Sequence, residues 1–229
     1  MKIVRPAILW AFAILVFRAL FWQPDAVAGN SPHPPSRPLF LVASRDMPDP
    51  VFQQGVILML PPEQLPLVAG VIINKPTDVK LSQLFKQPVA LENRTGRVYF
   101  GGPVEINSPL LLIRAAQPPP HATQLMSGVF SVSDPGTIAG ILRDGRYAKS
   151  LRLFLGRAQW TTDQLHGELL DGAWAVVPVQ TDLIFDQDPE KVWPALAPHE
   201  HMREVGAVCA GRYDSLLFNQ CVGESFLNP

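Results

Sequence analysis

An amide beside an ammonium, Asn74-Lys75 with Pro76 after them, closes an apolar run and could receive an anionic ligand at a strand end. Asparagine and proline are equally the residues that stop a strand and turn it, and that simpler account carries more weight. Gly101-Gly102-Pro103 would let backbone approach a ligand closely, with the Glu105 carboxylate two residues on. It lacks the GxGxxG or P-loop context of a phosphate cradle, so a tight turn and a solvated carboxylate are the plainer reading. Ser44, Asp46 and Asp49 with His121 or His166 can be written as a hydrolase triad, but no GxSxG elbow presents the serine. Neither HExxH nor CxxC occurs, so no metal and no cofactor is expected for the domain. Cys209 and Cys221 are the two cysteines of the chain, twelve positions apart. In an oxidising compartment they read as a disulfide, with roughly 3 kcal/mol of loop-closure stabilisation. With His199 and His201 they could instead supply a zinc-type set of two nitrogens and two sulfurs, but the spacing matches no standard finger.

The elements that must position these groups are short. Twenty-four prolines against 16 glycines stop segments abruptly, while 47% hydrophobic and 17% charged residues suit one soluble core. Strands are expected at Leu39 to Ala43, Val56 to Leu60, Gly70 to Ile73, Arg97 to Phe100, Leu110 to Ile113, Gly128 to Val132, Leu151 to Leu155 and Trp174 to Val179. A short helix is expected over Val79 to Phe85, burying Leu81, Leu84 and Phe85. Asp134-Pro135 is an N-cap with proline at the first helical position, and Gly145 is the matching stop, with Ile138, Ile141 and Leu142 turned inward. Gly156 to Trp160 is expected to turn the chain into a further helix, where Thr161 and Gln164 have capping spacing, ending at Asp171-Gly172. Trp160 and Trp174 on either side of it read as core anchors. No regular βα alternation occurs, so the expected class is α+β: a mixed, mostly antiparallel sheet with a few short helices.

Before the domain, Lys2 and Arg5 precede an uncharged run from Pro6 to Phe17, and Ala26-Val27-Ala28 is a small-x-small pattern. The run is short of the about 20 residues a spanning helix needs, so residues 1–28 are expected to be a signal peptide, cleaved after Ala28. The alternative is an inner-membrane anchor over residues 6–22, with Arg18 reaching for the interface. Residues 29–38 read as a proline-rich tether. Without the leader, 19 basic and 20 acidic residues become 16 and 19, a net of −3. That leaves no basic patch for phosphates, so nucleic acid is not an expected partner, and a membrane is one only through an uncleaved leader.

Three stretches together resemble the YqgE/AlgH family of bacterial proteins: LVASRDMPDPVFQQGVILM at 41–59, GVIINKPT at 70–77 with GGPVE at 101–105, and LGRAQWTTDQLHGELLDGAWAVVP at 155–178. The resemblance covers roughly residues 39–195 and implies an α+β fold with a mixed sheet. It implies no shared catalytic mechanism; one branch of the family takes its name from alginate regulation. Gln54 and Gly55 stand where a basic residue and a serine often follow, and His166 stands where the pattern has a glutamate. The family's members are usually cytoplasmic and end near Trp193, so the leader and the tail over 196–229 are additions here.

Two functional classes follow. The favoured one is a non-catalytic binding or regulatory module, exported or periplasmic, whose partner is a protein or a small molecule. The other is a hydrolase or transferase using a cleft near Asn74, Lys75 and Glu105. The two part on whether those side chains converge with Gly101 and Gly102 in space.

Overall fold

Leu39-Phe40-Leu41-Val42-Ala43 has no polar face, so a strand built from it must be covered on both sides. The computed structural model describes residues 38–61, 66–84 and 96–197, and there this segment is β1 (Leu39–Ala43), buried throughout. The chain continues through β2 (Val56–Met59), β3 (Leu67–Ile72), β4 (Pro76–Lys80), α1 (Leu81–Leu84), β5 (Arg97–Phe100), β6 (Val104–Arg114), β7 (Thr123–Met126) and β8 (Val129–Val132). It ends with α2 (Pro135–Asp144), β9 (Leu151–Thr161), α3 (Thr162–Leu170), β10 (Trp174–Pro178), α4 (Thr181–Phe185) and α5 (Pro189–Leu196). The strands form one sheet in the order β10-β1-β2-β3-β9-β6-β8-β7, with β4 and β5 attached off that path. Only β5 against β9 is parallel, so the sheet is mixed and mostly antiparallel, as expected.

Three apolar clusters show how the sheet is covered. Leu39 and Leu41 of β1 pack with Trp160, Trp174 and with Leu165 and Leu169 of α3. Phe40 and Val42, on the opposite face, join Leu58, Val71, Tyr99, Leu112 and Phe154, capped by Leu183, Ile184 and Phe185 of α4 and Val192 of α5. Leu111, Ile113, Leu151 and Leu153 pack under Ile138, Ile141 and Leu142 of α2. The middle cluster draws on both halves of the sheet, so the sheet folds back on itself with β9 as the shared strand.

β9 does this by changing register at Gly156. Leu151 to Leu155 pair with β5 and β6, and Ala158 to Thr161 pair with β3. Leu153 faces the α2 cluster and Phe154 the middle one, yet Ala158 and Trp160, even-numbered like Phe154, face the α3 cluster. Strand alternation forbids that unless a residue is bulged, and Gly156, at φ 74°, is that residue.

Four expectations need correction. The strand from Leu151 does not end at Leu155, because Gly156 bulges the strand where a turn was expected. The expected helix over Val79 to Phe85 is a single turn, Leu81–Leu84, with Phe85 outside the described residues; Pro76 to Lys80 is a strand on β5. Proline is tolerated in β4 because β4 pairs on one side only, with β5. Leu110 to Ile113 is the inner part of the longer β6, and Thr123–Met126, where no strand was expected, is the edge strand β7, half-exposed and without apolar periodicity. The helix from Asp134 behaves as expected: its carboxylate accepts the Thr137 N–H at 2.7 Å, and Gly145 closes the helix at φ 69°.

Candidate functional site

The loop from Ser44 to Gly55 joins β1 to β2 and is the part of the molecule where the sequence motifs meet. It turns at Asp49, whose Oδ1 accepts the Val51 N–H at 2.8 Å and whose carbonyl accepts Phe52 N–H at 3.0 Å. That turn sends Phe52 into an aromatic seat. Its ring centroid lies 5.9 Å from Trp160, stacked, and 5.6 Å from Trp174, edge-on, and the two tryptophans meet each other edge-to-face at 5.9 Å. Glu168 of α3 holds the seat together. Its Oε2 accepts both indole N–H groups, at 2.9 Å from Trp160 and 2.7 Å from Trp174, and its Oε1 accepts Gln164 Nε2 at 3.0 Å.

Asn74 and Lys75 fasten the same loop from the end of β3. Asn74 Oδ1 accepts the Val56 N–H at 2.9 Å while its Nδ2 donates to the Gln54 carbonyl at 2.8 Å. Gln54 stands in the left-handed region at φ 54°, so the amide braces a strained residue. Lys75 Nζ donates to the Val51 carbonyl at 2.6 Å. Burial lowers the pKa of this ammonium below that of an ordinary lysine, and nearby Asp49 offsets part of the effect.

Gly101 and Gly102 lie beside this turn. Phe100 N–H donates to the Lys75 carbonyl and Ile72 N–H to the Gly101 carbonyl, each at 2.9 Å. The two stretches therefore share one rim. The glycines, however, face β9: a Cβ on Gly101 would sit 2.2 Å from the Gly156 carbonyl oxygen, and one on Gly102 2.2 Å from the Arg157 carbonyl carbon. The missing side chains make room for backbone. Glu105, at φ 51°, pairs with Arg157 at 2.8 Å. The backbone thus sets the Asn74-Lys75 turn beside Gly101 and Gly102, while the side chains diverge: Asn74 and Lys75 point to the loop, Glu105 to Arg157 on β9. Ser44 at the end of β1, His121 before β7 and His166 on α3 stand on separate elements.

A second polar centre carries no motif. Arg152 is buried on β9, donating to the Phe185 carbonyl at 2.6 Å and the Leu151 carbonyl at 3.1 Å, with its guanidinium 5.5 Å from the Tyr99 ring centroid. Arg114 of β6 grips Asp186 with both nitrogens, at 2.5 and 2.7 Å, and lies over Phe185. These contacts tie the end of α4 to the sheet, and Trp193 of α5 donates its indole N–H to the Ala43 carbonyl at 2.8 Å. The sequence signal for Arg152 was its place in an otherwise apolar run, between Leu151 and Leu153. Glu168 could have been found from the capped helix between the two tryptophans. Among the described residues no group of three or more His, Cys, Asp or Glu is placed to hold a metal ion. Cys209, Cys221, His199 and His201, the leader over 1–28 and nearly all of the 196–229 tail lie outside the described residues.

Residues 40–204 match a family model described as AlgH-like (DUF179). A UPF0301 protein of Chromobacterium violaceum is 30% identical over 160 residues, which span 68% of this chain and 85% of the relative. A UPF0301 protein of Streptomyces avermitilis is 30% identical over 158 residues, 67% of this chain and 80% of that one. The solution structure of the AlgH protein from Pseudomonas aeruginosa superposes with a TM-score of 0.56 at 25% identity, covering 72% of this chain and 88% of its own. A crystal structure of a Corynebacterium diphtheriae protein gives 0.59 at 23% identity, covering 75% and 92%, a likeness of fold alone.

Proposed function

The chain belongs to the AlgH-like family, and from that premise we propose that it is a non-catalytic module of the cell envelope that binds a protein or small ligand without converting it. One observation carries the reading: the side chains that chemistry would need are occupied within the fold. Asn74 uses its donor and its acceptor on Gln54 and Val56, Lys75 is bonded to Val51, and Glu105 is paired with Arg157. The envelope part of the reading rests on the leader, and the Cys209–Cys221 disulfide goes with it as a feature of an oxidising compartment.

A hydrolase or transferase acting near Asn74, Lys75 and Glu105 keeps one support, the lysine whose pKa burial lowers toward a usable base or nucleophile. The two readings part in a turnover assay of the wild-type chain and its Lys75→Met variant against activated esters and phosphate esters. Turnover abolished in the variant, with the fold intact by circular dichroism, would overturn the binding reading; rates at the level of buffer in both support it. For the compartment, alkaline phosphatase fused after residue 38 should be active in the periplasm, and an inactive cytoplasmic fusion would refute export. Protein recovered from the envelope should have a mass two hydrogens below the reduced value, and free thiols there would overturn the disulfide.

A further inference from the structure

The β1–β2 loop is fastened by the Ser44 N–H on the Ala173 carbonyl and by Asn74 and Lys75, while Arg45, Asp46, Pro48, Asp49, Gln53 and Gln54 stand exposed and two apolar side chains root it. Its apolar roots are Met47, buried in the α3 cluster, and Phe52, half-buried against the two tryptophans. At its far end Gln54 stands in the strained left-handed region at φ 54°. Segments with few buried apolar contacts and many exposed backbone groups open without global unfolding. We propose that residues 44–54 form a strap that opens while the sheet stays folded, and that Glu168 governs its closure by holding Trp160 and Trp174 at the angle that seats Phe52.

The geometry gives Glu168 this part. A single oxygen accepts both indole N–H groups, so the tryptophans, which come from β9 and β10, are fixed relative to one another through one carboxylate of α3. Without it each indole keeps its own packing but loses the shared anchor, and the seat between them widens. Glu168 does not touch the loop through any of these bonds, so its effect on the strap passes through the tryptophans and it is a positioning residue. When the strap opens, one face of each tryptophan is uncovered and Lys75 is released from Val51. The device stands on its own geometry, whatever the domain binds.

Amide hydrogen exchange on the full chain tests it. The reporters are the N–H groups of Phe52 and Gly55, bonded to the Asp49 and Phe52 carbonyls, set against strand amides of β1 and β9. In the wild-type protein the loop amides should exchange by a path insensitive to low denaturant, while the strand amides follow global unfolding. Glu168→Leu should speed loop exchange by roughly tenfold, the scale set by losing hydrogen bonds to a charged group, and leave the strands relative to global stability unchanged. Glu168→Gln, which keeps one acceptor oxygen, should fall between. Loop amides that exchange only by global unfolding in the wild type would overturn the strap. Loop exchange in Glu168→Leu that is unchanged, or that rises only in step with the strands, would overturn the part given to Glu168.

Discussion

Substituting Gly156 by alanine tests the fold at the point where both halves of the sheet depend on it. Its φ of 74° costs an L-residue about 1–2 kcal/mol before any contact is considered. The added Cβ would lie 2.3 Å from the Gly102 carbonyl oxygen and 3.1 Å from that of Val104, both backbone atoms that cannot rotate aside. Relieving such overpacking takes a backbone shift worth about 1–3 kcal/mol. The sum, about 2–5 kcal/mol, is a large part of the roughly 5–15 kcal/mol that stabilises a domain. Gly140→Ala is the internal control, because Gly140 sits within α2 with nothing within 4 Å of the new Cβ. There alanine should add about 0.5–1 kcal/mol through helix propensity. Urea unfolding followed by tryptophan fluorescence reads both. The Gly156→Ala midpoint should fall and the Gly140→Ala midpoint rise, with slopes near wild type. A Gly156→Ala protein within about 1 kcal/mol of wild type would refute the close crossing of β9 by residues 102–104, between β5 and β6, on which the folded-back sheet rests.

Asn74→Ala removes both hydrogen bonds that brace the β1–β2 loop and should cost about 1–3 kcal/mol in urea unfolding; a neutral result would mean that the Val56 N–H and Gln54 carbonyl are satisfied by water. Arg152→Met should also cost about 1–3 kcal/mol, since the buried Phe185 carbonyl loses its donor, and a gain in stability would show the arginine to be retained for something other than folding. For Asp186 the hydrogen bonds from Arg114 hold the carboxyl below the usual aspartate range, so its contribution is present at neutral pH and lost as pH falls through that lowered value. The pair is largely exposed, so Asp186→Asn should cost under about 1 kcal/mol at pH 7, and thermal melts of the two proteins should begin to converge below about pH 4 and meet once the pH has fallen through the lowered value; a difference that persists below it would show that charge is not its source.

Much of this fold was legible because its strands are buried on both faces. LFLVA at 39–43 and WAVVP at 174–178 are short apolar runs bounded by proline or turn residues, which read as buried strands. Gly156 was misread because a glycine inside an apolar run permits either a turn or a bulge, and only pairing with β3 beyond it distinguishes them. Gly101 and Gly102 presented the same ambiguity. The space they leave is filled by a strand more than fifty residues away, which local sequence cannot report. Glu168 and Arg152 were missed for a different reason: a charged residue on a helix or in a strand is read as solvated, and burial by partners from other elements is a tertiary fact.

The stretches that carry the family resemblance turn out to be parts of one structure. Residues 41–59 supply the loop and Phe52; residues 70–77 supply the amide and ammonium that brace it. Residues 155–178 supply the two tryptophans and Glu168, and residues 101–105 supply the glycines that cross β9 at Gly156. Each polar residue meets a strict chemical demand there. The Asn74 amide both accepts from the Val56 N–H and donates to the Gln54 carbonyl, and one Glu168 oxygen has the lone pairs to accept both indole N–H groups. A residue that builds a loop is thus specified as tightly as one that holds a substrate. A catalytic role for these motifs would have to rest on side chains that converge, and the hydrogen bonds direct Asn74 and Lys75 to the loop and Glu105 to Arg157.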